Sequence, residues 1–402
     1  MWYLPLDSLT EDQRIAVEES VGTERNRVIV GPPGSGKTLV LLHRLLRSEA
    51  HRAKRARLIV RNRAMVHYVQ SGLKAAGLDS SAIETADSLV LSLFRRFVKT
   101  TLPRNLLHEL DWAKIRSDTL AAIVKIKPSP LLDACFVDEA QDIPIDTLKI
   151  LKRVCGHVTV AMHPSQALYE DGSGVEDVRA ALGTYEKHIT LLRSYRCTPR
   201  IVELAAAFLP ADEATAFRSL HLLPTTGNET PQIHFSESFD DEIAALAQEL
   251  KNRSAENYTC AVLLPSRSQV DDVAGALRKA GVQVSEDLDS EFDDLIPEVL
   301  TYHQAKGISV DAVFLPQLTE NGFYTFRTRS TEVINRIIFV GITRASKWVW
   351  MGTRRGEELR RSSLRRAFRL GRVRLKDSAS SENGLITTAP QADAKDPMNW
   401  VF

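Results

Sequence analysis

The stretch RVIVGPPGSGKTLVLLHRLL, residues 27–46, constrains the fold of this chain more than any other feature. Its apolar, β-branched start is typical of a buried strand, and leucines recur at helical spacing from Thr38 onward. The turn between them matches the whole G-x-x-x-x-G-K-[ST] pattern, in which glycines let backbone N–H groups converge on phosphate oxygens. In that pattern Lys37 reaches the β- and γ-phosphates, and the Thr38 hydroxyl ligates Mg²⁺. We therefore expect a nucleoside triphosphate to bind at Gly31, Pro32, Pro33, Gly34, Ser35, Gly36, Lys37 and Thr38.

A second motif, VDEAQD at residues 137–142, follows the apolar run LLDACF. An apolar strand that ends in Asp-Glu delivers one carboxylate to a metal ion and a second one to the attacking water. We assign the Mg²⁺ to Asp138 together with Thr38, and the role of catalytic base to Glu139. An isolated acidic pair is more often the start of a helix, where carboxylates meet the helix dipole. The phosphate loop upstream favours the catalytic interpretation.

Composition limits the class of protein further. The chain has 402 residues, of which 44% are hydrophobic and 26% charged, and this suits two globular domains with their own cores. No segment has the roughly 18 uninterrupted apolar residues of a membrane span, and the start MWYLPLDSLTEDQ has no signal-peptide pattern. The four cysteines form no C-x-x-C pair. Neither a zinc site nor a disulfide framework is therefore indicated, and a reducing cytoplasm is expected.

The formal net charge is only +1, so the chain as a whole is not drawn to nucleic acid. Two segments are nevertheless rich in arginine and lysine, residues 43–63 and residues 354–376. Each of them could follow a phosphate backbone, or each could be a solvated helix face. The acidic stretch EDLDSEFDDLIPE, residues 286–298, is interpreted as a solvated loop.

Apolar strands alternate with amphipathic helices along most of the chain, which is typical of the α/β class with mostly parallel sheets. Helices are predicted around residues 240–251 and 268–280, and Pro199 and Pro210 mark a transition between two units. The polar stretch from Asp377 is interpreted as a disordered tail. Strands are predicted at residues 28–30, 58–60, 135–137, 158–161, 232–235, 260–264, 299–301, 313–315 and 349–351.

From residue 6 to about residue 351, these motifs and their order resemble the superfamily 1 helicases of the UvrD/Rep/PcrA type. The resemblance implies two RecA-like P-loop domains, ATP and Mg²⁺ as cofactors, and an ATPase or ATP-dependent DNA helicase activity. The stretch LTEDQRIAVE resembles the Q motif, which implies that Gln13 reads the adenine edge. Thr10 and Gln13 also fit the T-x-x-Q capping box of a helix start, and the two roles are compatible.

Three further motifs carry residues that the resemblance places around the nucleotide. HPSQALYED resembles motif III, so Gln166 is expected to sense the γ-phosphate. LLRSYRCTPRIVELA resembles motif IV, which implies that Tyr195 stacks on adenine and that Arg196 touches the γ-phosphate. RIIFVGITRASKWVWM resembles motif VI, with Arg344 as an arginine finger that stabilises charge in the transition state. Because Arg196 and Arg344 lie beyond the first P-loop unit in sequence, we expect both to come from a second unit.

Other motifs resemble those that contact a nucleic-acid strand. IVRNRAMVHYV is similar to motif Ia, IETADSL to the motif after it, and TYHQAKGISVDAVFLP to motif V. The resemblance implies a cofactor contact at Gly307, and His303 could equally be a satisfied core histidine. The expected strand contacts are Asn62, Thr85, Tyr169, His303 and Lys306.

The chain departs from the family pattern in two respects. Family members carry large inserted subdomains, but here each interval between the motifs is about 100 residues, which the strands and helices of a RecA-like unit mostly fill. A small helical insertion is expected near residues 89–126, and its Phe94 and Phe97 are interpreted as core. Val60 and Asp171 stand where the family has aromatic side chains, each of which stabilises strand binding by roughly 1–3 kcal/mol per stacked base.

We therefore expect an ATP-dependent nucleic-acid motor that translocates on, unwinds or remodels DNA (or RNA). Its expected partner is single-stranded nucleic acid, DNA in preference to RNA. The predicted domains are residues 1–192 and 193–376, with 377–402 as the tail. The alternative is an ATP-gated, helicase-like sensor or regulatory subunit that controls a partner effector such as a nuclease in an anti-phage defence system. A P-loop kinase acting on a small molecule is a third hypothesis, which the paired arginines disfavour.

Overall fold

The computed structural model describes residues 3–18, 26–163, 174–184, 188–219, 229–286 and 295–377. These residues form two compact units, one ending at Arg196 and the other beginning at Cys197. Each unit is built on one six-stranded sheet whose strand pairs are all parallel. The predicted α/β class, with two RecA-like units and parallel sheets, is confirmed.

In the first unit the phosphate loop and the acidic motif follow two strands of the same sheet. The strands are β1 (Arg27–Val30), β2 (Ala56–Val60), β3 (Ile83–Thr85), β4 (Leu132–Val137), β5 (Cys155–Met162) and β6 (Ile189–Thr190). The helices are α1 (Glu11–Glu18), α2 (Lys37–Arg47), α3 (Glu49–Arg52), α4 (Arg63–Ala75), α5 (Ala86–Phe97), α6 (Trp112–Ile126), α7 (Ile145–Val154) and α8 (Val175–Leu182). The strand order is β3-β2-β4-β5-β1-β6, so β5 separates the loop strand β1 from the acidic strand β4.

The core of the first unit forms because its central strands are apolar on both faces, as in other buried parallel sheets. Residues of β4 and β5 pack with apolar side chains of α5, α6, α7 and α8 in one cluster. Helices α5 and α6 occupy the stretch where the small helical insertion is predicted. Phe94 is fully buried in this cluster and Phe97 packs against it, which confirms that these aromatics belong to the core.

The second unit is likewise built on six parallel strands with helices between them. Its strands are β7 (Gln232–Ser236), β8 (Cys260–Leu264), β9 (Glu298–Thr301), β10 (Val310–Leu315), β11 (Ala345–Arg354) and β12 (Arg374–Asp377), in the order β12-β7-β11-β10-β8-β9. Its helices are α9 (Pro199–Ala206), α10 (Ala211–Ser219), α11 (Phe239–Ala255), α12 (Arg267–Lys279), α13 (Thr331–Ile342) and α14 (Leu364–Arg369). Phe314, Trp348 and Trp350 pack with α11 and α12 in its core.

Each predicted strand overlaps a strand of the structure, and the two predicted helices correspond to α11 and α12. The sequence pattern does not predict β3, β6 and β12. All three lie at an edge of their sheet, where one side of the strand has no partner and a long apolar run is not needed. The predicted domain bounds stay predictions, and residues 378–402 of the predicted tail lie outside the described residues.

Candidate active site

Glycines shape the loop between β1 and α2. Gly34 has φ +76° and Gly36, at the start of α2, has φ +82°, and both values lie in the left-handed region that favours glycine. A Cβ atom on Gly36 would lie 2.3 Å from Nε2 of Gln13. The loop runs into the first turn of α2, where free N–H groups and the helix dipole attract an anion. Side chains at Gly34 and Gly36 would therefore be strained and would collide with Arg196 and Gln13.

Lys37 is buried at the start of α2 and points back along the loop. Its Nζ atom donates hydrogen bonds to the carbonyl oxygens of Gly31 and Pro32, each at 2.9 Å. The residue is only 6% exposed. The ammonium group is therefore held at the loop and not in bulk solvent, as the phosphate-binding pattern requires.

Thr38 and Asp138 meet although they lie far apart in sequence. The Thr38 hydroxyl donates a 2.6 Å hydrogen bond to Oδ2 of Asp138. Strand β4 ends at Val137, and because β1 and β4 are parallel strands of one sheet, both motifs are delivered to the same edge. Burial, and after it the neighbouring Glu139 carboxylate, raise the pKa of Asp138 to about 6. The two motifs thus form one site that contains two buried acids.

The oxygen atoms of Thr38 and Asp138 are suitable ligands for the predicted Mg²⁺. A hydroxyl and a carboxylate oxygen are ligands that Mg²⁺ prefers, and a cation there would offset the charge of the buried acids. Among the described residues, no group of three His, Cys, Asp or Glu side chains could hold a metal ion. The buried Ser35 hydroxyl has no hydrogen-bond partner in the described part of the chain and is free to meet a ligand.

Glu139 is held in place by Gln141, a residue that the sequence motifs do not single out. Glu139 adopts φ +52°, which is uncommon outside glycine, and its N–H donates to Oδ1 of Asp138 at 3.0 Å. The Gln141 amide donates to Oε2 of Glu139, and its Oε1 accepts the His163 N–H at 3.0 Å. Gln141 therefore links the predicted base to the end of β5. Its place in the motif VDEAQD, two residues after Glu139, could have indicated this role.

The ends of β2 and β3 lie at the same edge and carry two of the predicted strand contacts. Asn62 follows β2, and its Oδ1 accepts the Met65 N–H at 2.8 Å, which caps α4. Thr85 ends β3, and its hydroxyl accepts the Ser88 N–H at 3.2 Å, which caps α5. The side chain of Arg61, also missed in the sequence, lies 2.6 Å from Oδ2 of buried Asp142 and ties β2 to the acidic motif. Contact of Asn62 and Thr85 with nucleic acid stays a prediction.

Gln13 forms the capping box that the sequence predicts. The Thr10 N–H donates to Oε1 of Gln13 at 3.0 Å, and the Gln13 N–H donates to the Thr10 hydroxyl at 3.4 Å. The Gln13 amide also donates to the Ser35 carbonyl oxygen at 3.0 Å. The start of α1 is therefore bonded directly to the phosphate loop, and recognition of adenine by Gln13 stays a prediction.

Tyr195 and Arg196 lie beside the phosphate loop. The N–H of Leu191 donates to the Val30 carbonyl oxygen at 2.8 Å and continues the pairing of β6 with β1. The Tyr195 N–H then donates to the Gly34 carbonyl oxygen at 3.0 Å, and a Cβ on Gly34 would lie 2.6 Å from Cβ of Arg196. The expectation that Arg196 comes from the second unit is therefore wrong, because the short edge strand β6 keeps this segment in the first unit. Stacking on adenine and contact with the γ-phosphate stay predictions.

Arg344 is buried in the second unit at the end of α13. Its Nε donates to the Val340 carbonyl oxygen at 3.0 Å, and its Nη2 donates to the Thr343 hydroxyl at 3.3 Å. A cation at this position suits the negative end of a helix dipole. The side chain thus has a structural role in the second unit, and its role as a finger stays a prediction.

The remaining predicted residues of the second unit lie near the end of β9. His303 is half-buried, and its ring is stacked 6.4 Å from the ring of Phe326. Lys306 is buried, and Gly307 has φ +94°. Their contacts with nucleic acid and cofactor stay predictions. Gln166 and Tyr169 lie outside the described residues.

Many arginines of the two basic segments bind groups of their own unit. In residues 43–63, the Arg44 guanidinium donates to the Ala16 carbonyl oxygen, and Arg55 and Arg57 pair with acidic residues. In residues 354–376, ion pairs join Arg355 to Glu237, Arg361 to Glu320 and Arg372 to Glu203. Much of the basic character is therefore engaged in intramolecular pairs and does not by itself indicate a phosphate-binding face.

The four cysteines are buried free thiols. In the described part of the chain, no helix is long and apolar enough to cross a membrane.

Comparison with known families gives two matches. Residues 24–284, more than half of the chain, match the model of the Schlafen group 3, DNA/RNA helicase domain. Residues 283–355 match the UvrD-like helicase C-terminal domain. No match was found among curated proteins. The solved C-terminal domain of a possible DNA helicase from Lactobacillus plantarum WCFS1 is 18% identical, covers 46% of this chain and 98% of its own, and has a TM-score of 0.35.

The two family matches follow each other along the chain and take in both units. The first contains the phosphate loop and the acidic motif, and the second contains the motif that carries Arg344. The resemblance to UvrD-type helicases that the sequence motifs suggest is thereby confirmed. The chain is a UvrD-like helicase-type protein and belongs to the Schlafen group 3, DNA/RNA helicase domain family.

Proposed function

We propose that this chain is an ATP-dependent nucleic-acid motor of the superfamily 1 helicase type, which hydrolyses ATP to translocate on, unwind or remodel DNA. The observation that carries the proposal is the 2.6 Å contact between the Thr38 hydroxyl and Asp138, because it joins the phosphate loop and the acidic motif at one point. The family match over residues 24–284 supports nucleic acid as the partner.

The phosphate loop and Lys37 would bind the nucleotide. The backbone N–H groups between Gly31 and Thr38 would bind the triphosphate oxygens. The Lys37 ammonium would exchange the Gly31 and Pro32 carbonyl oxygens for phosphate oxygens. Thr38 and Asp138 would hold Mg²⁺. When bound, Mg²⁺ offsets the negative charge of the β- and γ-phosphates.

Glu139 would be the catalytic base in hydrolysis. This carboxylate would orient the attacking water and accept its proton. Gln141 engages Oε2 of Glu139, so it holds the base in one orientation. Because Gln141 also binds the His163 backbone, a movement at the end of β5 would shift the base. We assign Gln141 as a positioning residue that joins the base to His163 at the end of β5.

Other predicted residues complete the proposed cycle. Gln13 and Tyr195 would contact adenine, Arg196 would contact the γ-phosphate, and Arg344 would act as the finger. The finger role requires the Arg344 guanidinium to leave the Val340 carbonyl oxygen and the Thr343 hydroxyl. Asn62, Thr85, His303 and Lys306 would contact the nucleic-acid strand.

Steady-state ATP hydrolysis with and without single-stranded DNA tests the proposal. We expect the strand to stimulate hydrolysis by the wild-type chain, and the Lys37→Ala variant to show neither basal nor stimulated turnover. An RNA oligonucleotide of the same sequence tests the expected preference for DNA. Hydrolysis that no nucleic acid stimulates would contradict the motor.

A second candidate is an ATP-gated sensor or regulatory subunit that controls a partner effector such as a nuclease. Val60 favours it, because this residue stands where the resemblance expects a base-stacking aromatic and is fully buried in β2. Loss of such a platform weakens strand binding by roughly 1–3 kcal/mol per base. Copurification of a nuclease would support this candidate if ATP changes the nuclease activity in the presence of the wild-type chain but not in the presence of the Lys37→Ala variant. A cytoplasmic setting suits both candidates.

A further inference from the structure

A groove of about 480 Å³ lies between the C-terminal halves of α6, α7 and α8 in the first unit. Its floor is apolar and is lined by Leu120, Ile123, Val124 and Ala181. Its rim is cationic and is lined by Lys127, Lys149, Lys152 and Arg153. An apolar surface with charged residues around it is typical of an interaction site. We call these floor and rim residues together the basic groove.

The rim of the basic groove carries charge of one sign. None of the described residues that line the groove is acidic. Lys149 pairs with Asp146 at 3.2 Å, and such a pair on an exposed surface contributes little free energy. In the part of the chain that the structure describes, Lys127, Lys152 and Arg153 have no ion-pair partner. These three side chains are therefore available to a negatively charged partner.

Helix ends explain part of this charge but not all of it. Helix α6 ends at Ile126, α7 at Val154 and α8 at Leu182, and a cation suits the negative end of a helix dipole. Each such end is equivalent to roughly −0.5 charge, so the three ends offset about −1.5 of the four positive charges. The rim therefore keeps a positive excess. The dipoles also give no reason for Val124, which is 40% exposed on the floor.

The basic groove lies toward the opposite edge of the sheet from the active-site motifs. Lys127 lies shortly before β4 and Arg153 shortly before β5, so both are near the amino ends of these strands. Asp138 follows the carboxyl end of β4, which has six residues and is roughly 20 Å long. Asn62 and Thr85 are also at carboxyl ends, those of β2 and β3. The predicted strand contacts therefore do not account for the groove.

An amphipathic helix with acidic residues fits the basic groove better than nucleic acid does. A phosphate backbone is bound by cations and gains nothing from an apolar floor. The apolar face of a helix packs into such a groove through residues at positions i, i+3, i+4 and i+7. Acidic side chains along the sides of that helix would pair with the cations of the rim. Charge complementarity of this kind also selects against wrong partners.

We propose that the basic groove binds an acidic amphipathic helix of a partner protein. Apolar side chains of this helix would cover Val124 and the rest of the floor, and its carboxylates would face Lys127, Lys152 and Arg153. The inference goes beyond the proposed function, because binding at the groove does not depend on ATP hydrolysis.

Charge reversal tests the rim. Lys152→Glu/Arg153→Glu changes two exposed cations in the last turn of α7. The matched control is Arg95→Glu/Arg96→Glu, which changes two exposed cations in the last turn of α5 that do not line the groove. Because both variants place two acids at the end of a helix, they lose similar dipole stabilisation. Their thermal unfolding midpoints should therefore agree.

Removal of an apolar side chain tests the floor. Val124→Ser is compared with Ile126→Ser on the same helix. Ile126 is 52% exposed and does not line the groove, since residues at i and i+2 lie on different sides of a helix. Both side chains are partly in solvent, so both variants should keep the fold.

The probes are two fluorescein-labelled peptides of about 18 residues, long enough to form a helix, and a fluorescein-labelled DNA strand. Both peptides carry leucines at i, i+3, i+4 and i+7. The remaining positions are alanine and glutamate in the first peptide and alanine and lysine in the second. Fluorescence anisotropy measures the binding of each probe to the wild-type chain and to the four variants.

We expect the wild type and both controls to bind the glutamate peptide about tenfold or more tightly than the lysine peptide. Lys152→Glu/Arg153→Glu should lose about tenfold in affinity for the glutamate peptide, and Val124→Ser about fivefold. Added salt should weaken binding of this peptide to the wild type. DNA affinity and strand-stimulated ATP hydrolysis should stay within about twofold, because distant sites contribute independently.

Failure of the wild type to bind the glutamate peptide, or equal affinity for the two peptides, would overturn the inference. If charge reversal at the rim weakens DNA binding as much as peptide binding, the groove is a phosphate-binding face instead. If Arg95→Glu/Arg96→Glu has the same effect on the peptide, only the total charge matters and the groove is not the site. Each of these results is compatible with ATP hydrolysis that single-stranded DNA stimulates, so the proposed function is tested separately.

Discussion

Both units bury a carboxylate near the carboxyl edge of a parallel sheet, but the two carboxylates have different surroundings. Burial raises the pKa of Asp138 in the first unit to about 6 and that of Glu242 in the second unit to about 7. Asp138 receives the Thr38 hydroxyl and lies beside a second acid. Oε1 of Glu242 accepts the Gln317 N–H at 2.7 Å, and its Oε2 lies 3.9 Å from the Arg354 guanidinium.

The comparison shows that a raised pKa does not by itself identify a reactive site. The acid of the first unit accepts a hydrogen bond from Thr38, which follows a glycine-rich loop. In the second unit β7 leads into α11 through Ser238, whose hydroxyl caps the helix by accepting the Asp241 N–H at 3.2 Å. Glu242 is closed in by Gly352, where a Cβ would lie 2.4 Å from Oε1. We therefore interpret Glu242 as an acid with a structural role and Asp138 as a ligand of the predicted Mg²⁺.

The largest expected effects would separate binding from turnover. Lys37→Ala and Arg344→Ala should each abolish ATP turnover, and an arginine finger alone accounts for roughly 10³–10⁵ in rate. Only Lys37→Ala should greatly weaken nucleotide binding, because Lys37 lies in the loop itself. Titration with a fluorescent ATP analogue measures this difference. Equal loss of nucleotide affinity in the two variants would contradict a finger role for Arg344.

A smaller effect is expected for Gln141→Ala. Without its amide, Glu139 loses the bond that fixes Oε2, and misplacement of a catalytic group can cost about 10²-fold in kcat. Nucleotide affinity should stay within about twofold of wild type. The matched control is Gln269→Ala in the second unit, which removes a side-chain amide that donates to Gln317 at 2.7 Å. Steady-state kinetics that show similar kcat values for the two variants would refute the positioning role.

The smallest effect concerns stability and pH. The pKa of Glu242 is raised from 4.5 to about 7 in the folded chain. The protonated side chain therefore stabilises the fold fully at pH values below the pKa of the unfolded chain. This stabilisation is lost as the pH rises through about 7. The loss is at most about 3 kcal/mol. Arg354, which lowers this pKa, and Glu357 and Asp241, which raise it, are the charged neighbours.

Glu242→Gln keeps the hydrogen-bond acceptor and removes the titration. We expect the variant to unfold at higher urea concentration than wild type at pH 8 and at a similar concentration at pH 5. Comparison of the two proteins at each pH cancels the contribution of the acids in the first unit. If the wild type instead unfolds at a higher urea concentration than Glu242→Gln at pH 8, Glu242 is stabilised as an anion by Arg354.

The sequence predicts those parts of the fold and site in which residues of fixed type must stand at fixed distances along the chain. The phosphate loop needs its glycines and Lys37 in fixed order, and the acidic strand needs an apolar run before Asp138. The edge strand β6 is short, so its effect on the position of Arg196 is visible only once β6 pairs with β1. Gln141 and Arg61 act through contacts made in three dimensions. Glutamine and arginine are also common on surfaces, so their type alone does not reveal such roles.

Single-turnover hydrolysis of γ-labelled ATP tests the central claim most directly, with wild type, Glu139→Gln and Glu242→Gln compared side by side. If the acids of the first unit perform the chemistry, Glu139→Gln should slow the single turnover by about 10²–10⁴-fold while ATP still binds. Glu242→Gln should react at the wild-type rate. A Glu139→Gln variant that hydrolyses ATP as fast as wild type, or a Glu242→Gln variant that is equally impaired, would contradict the account.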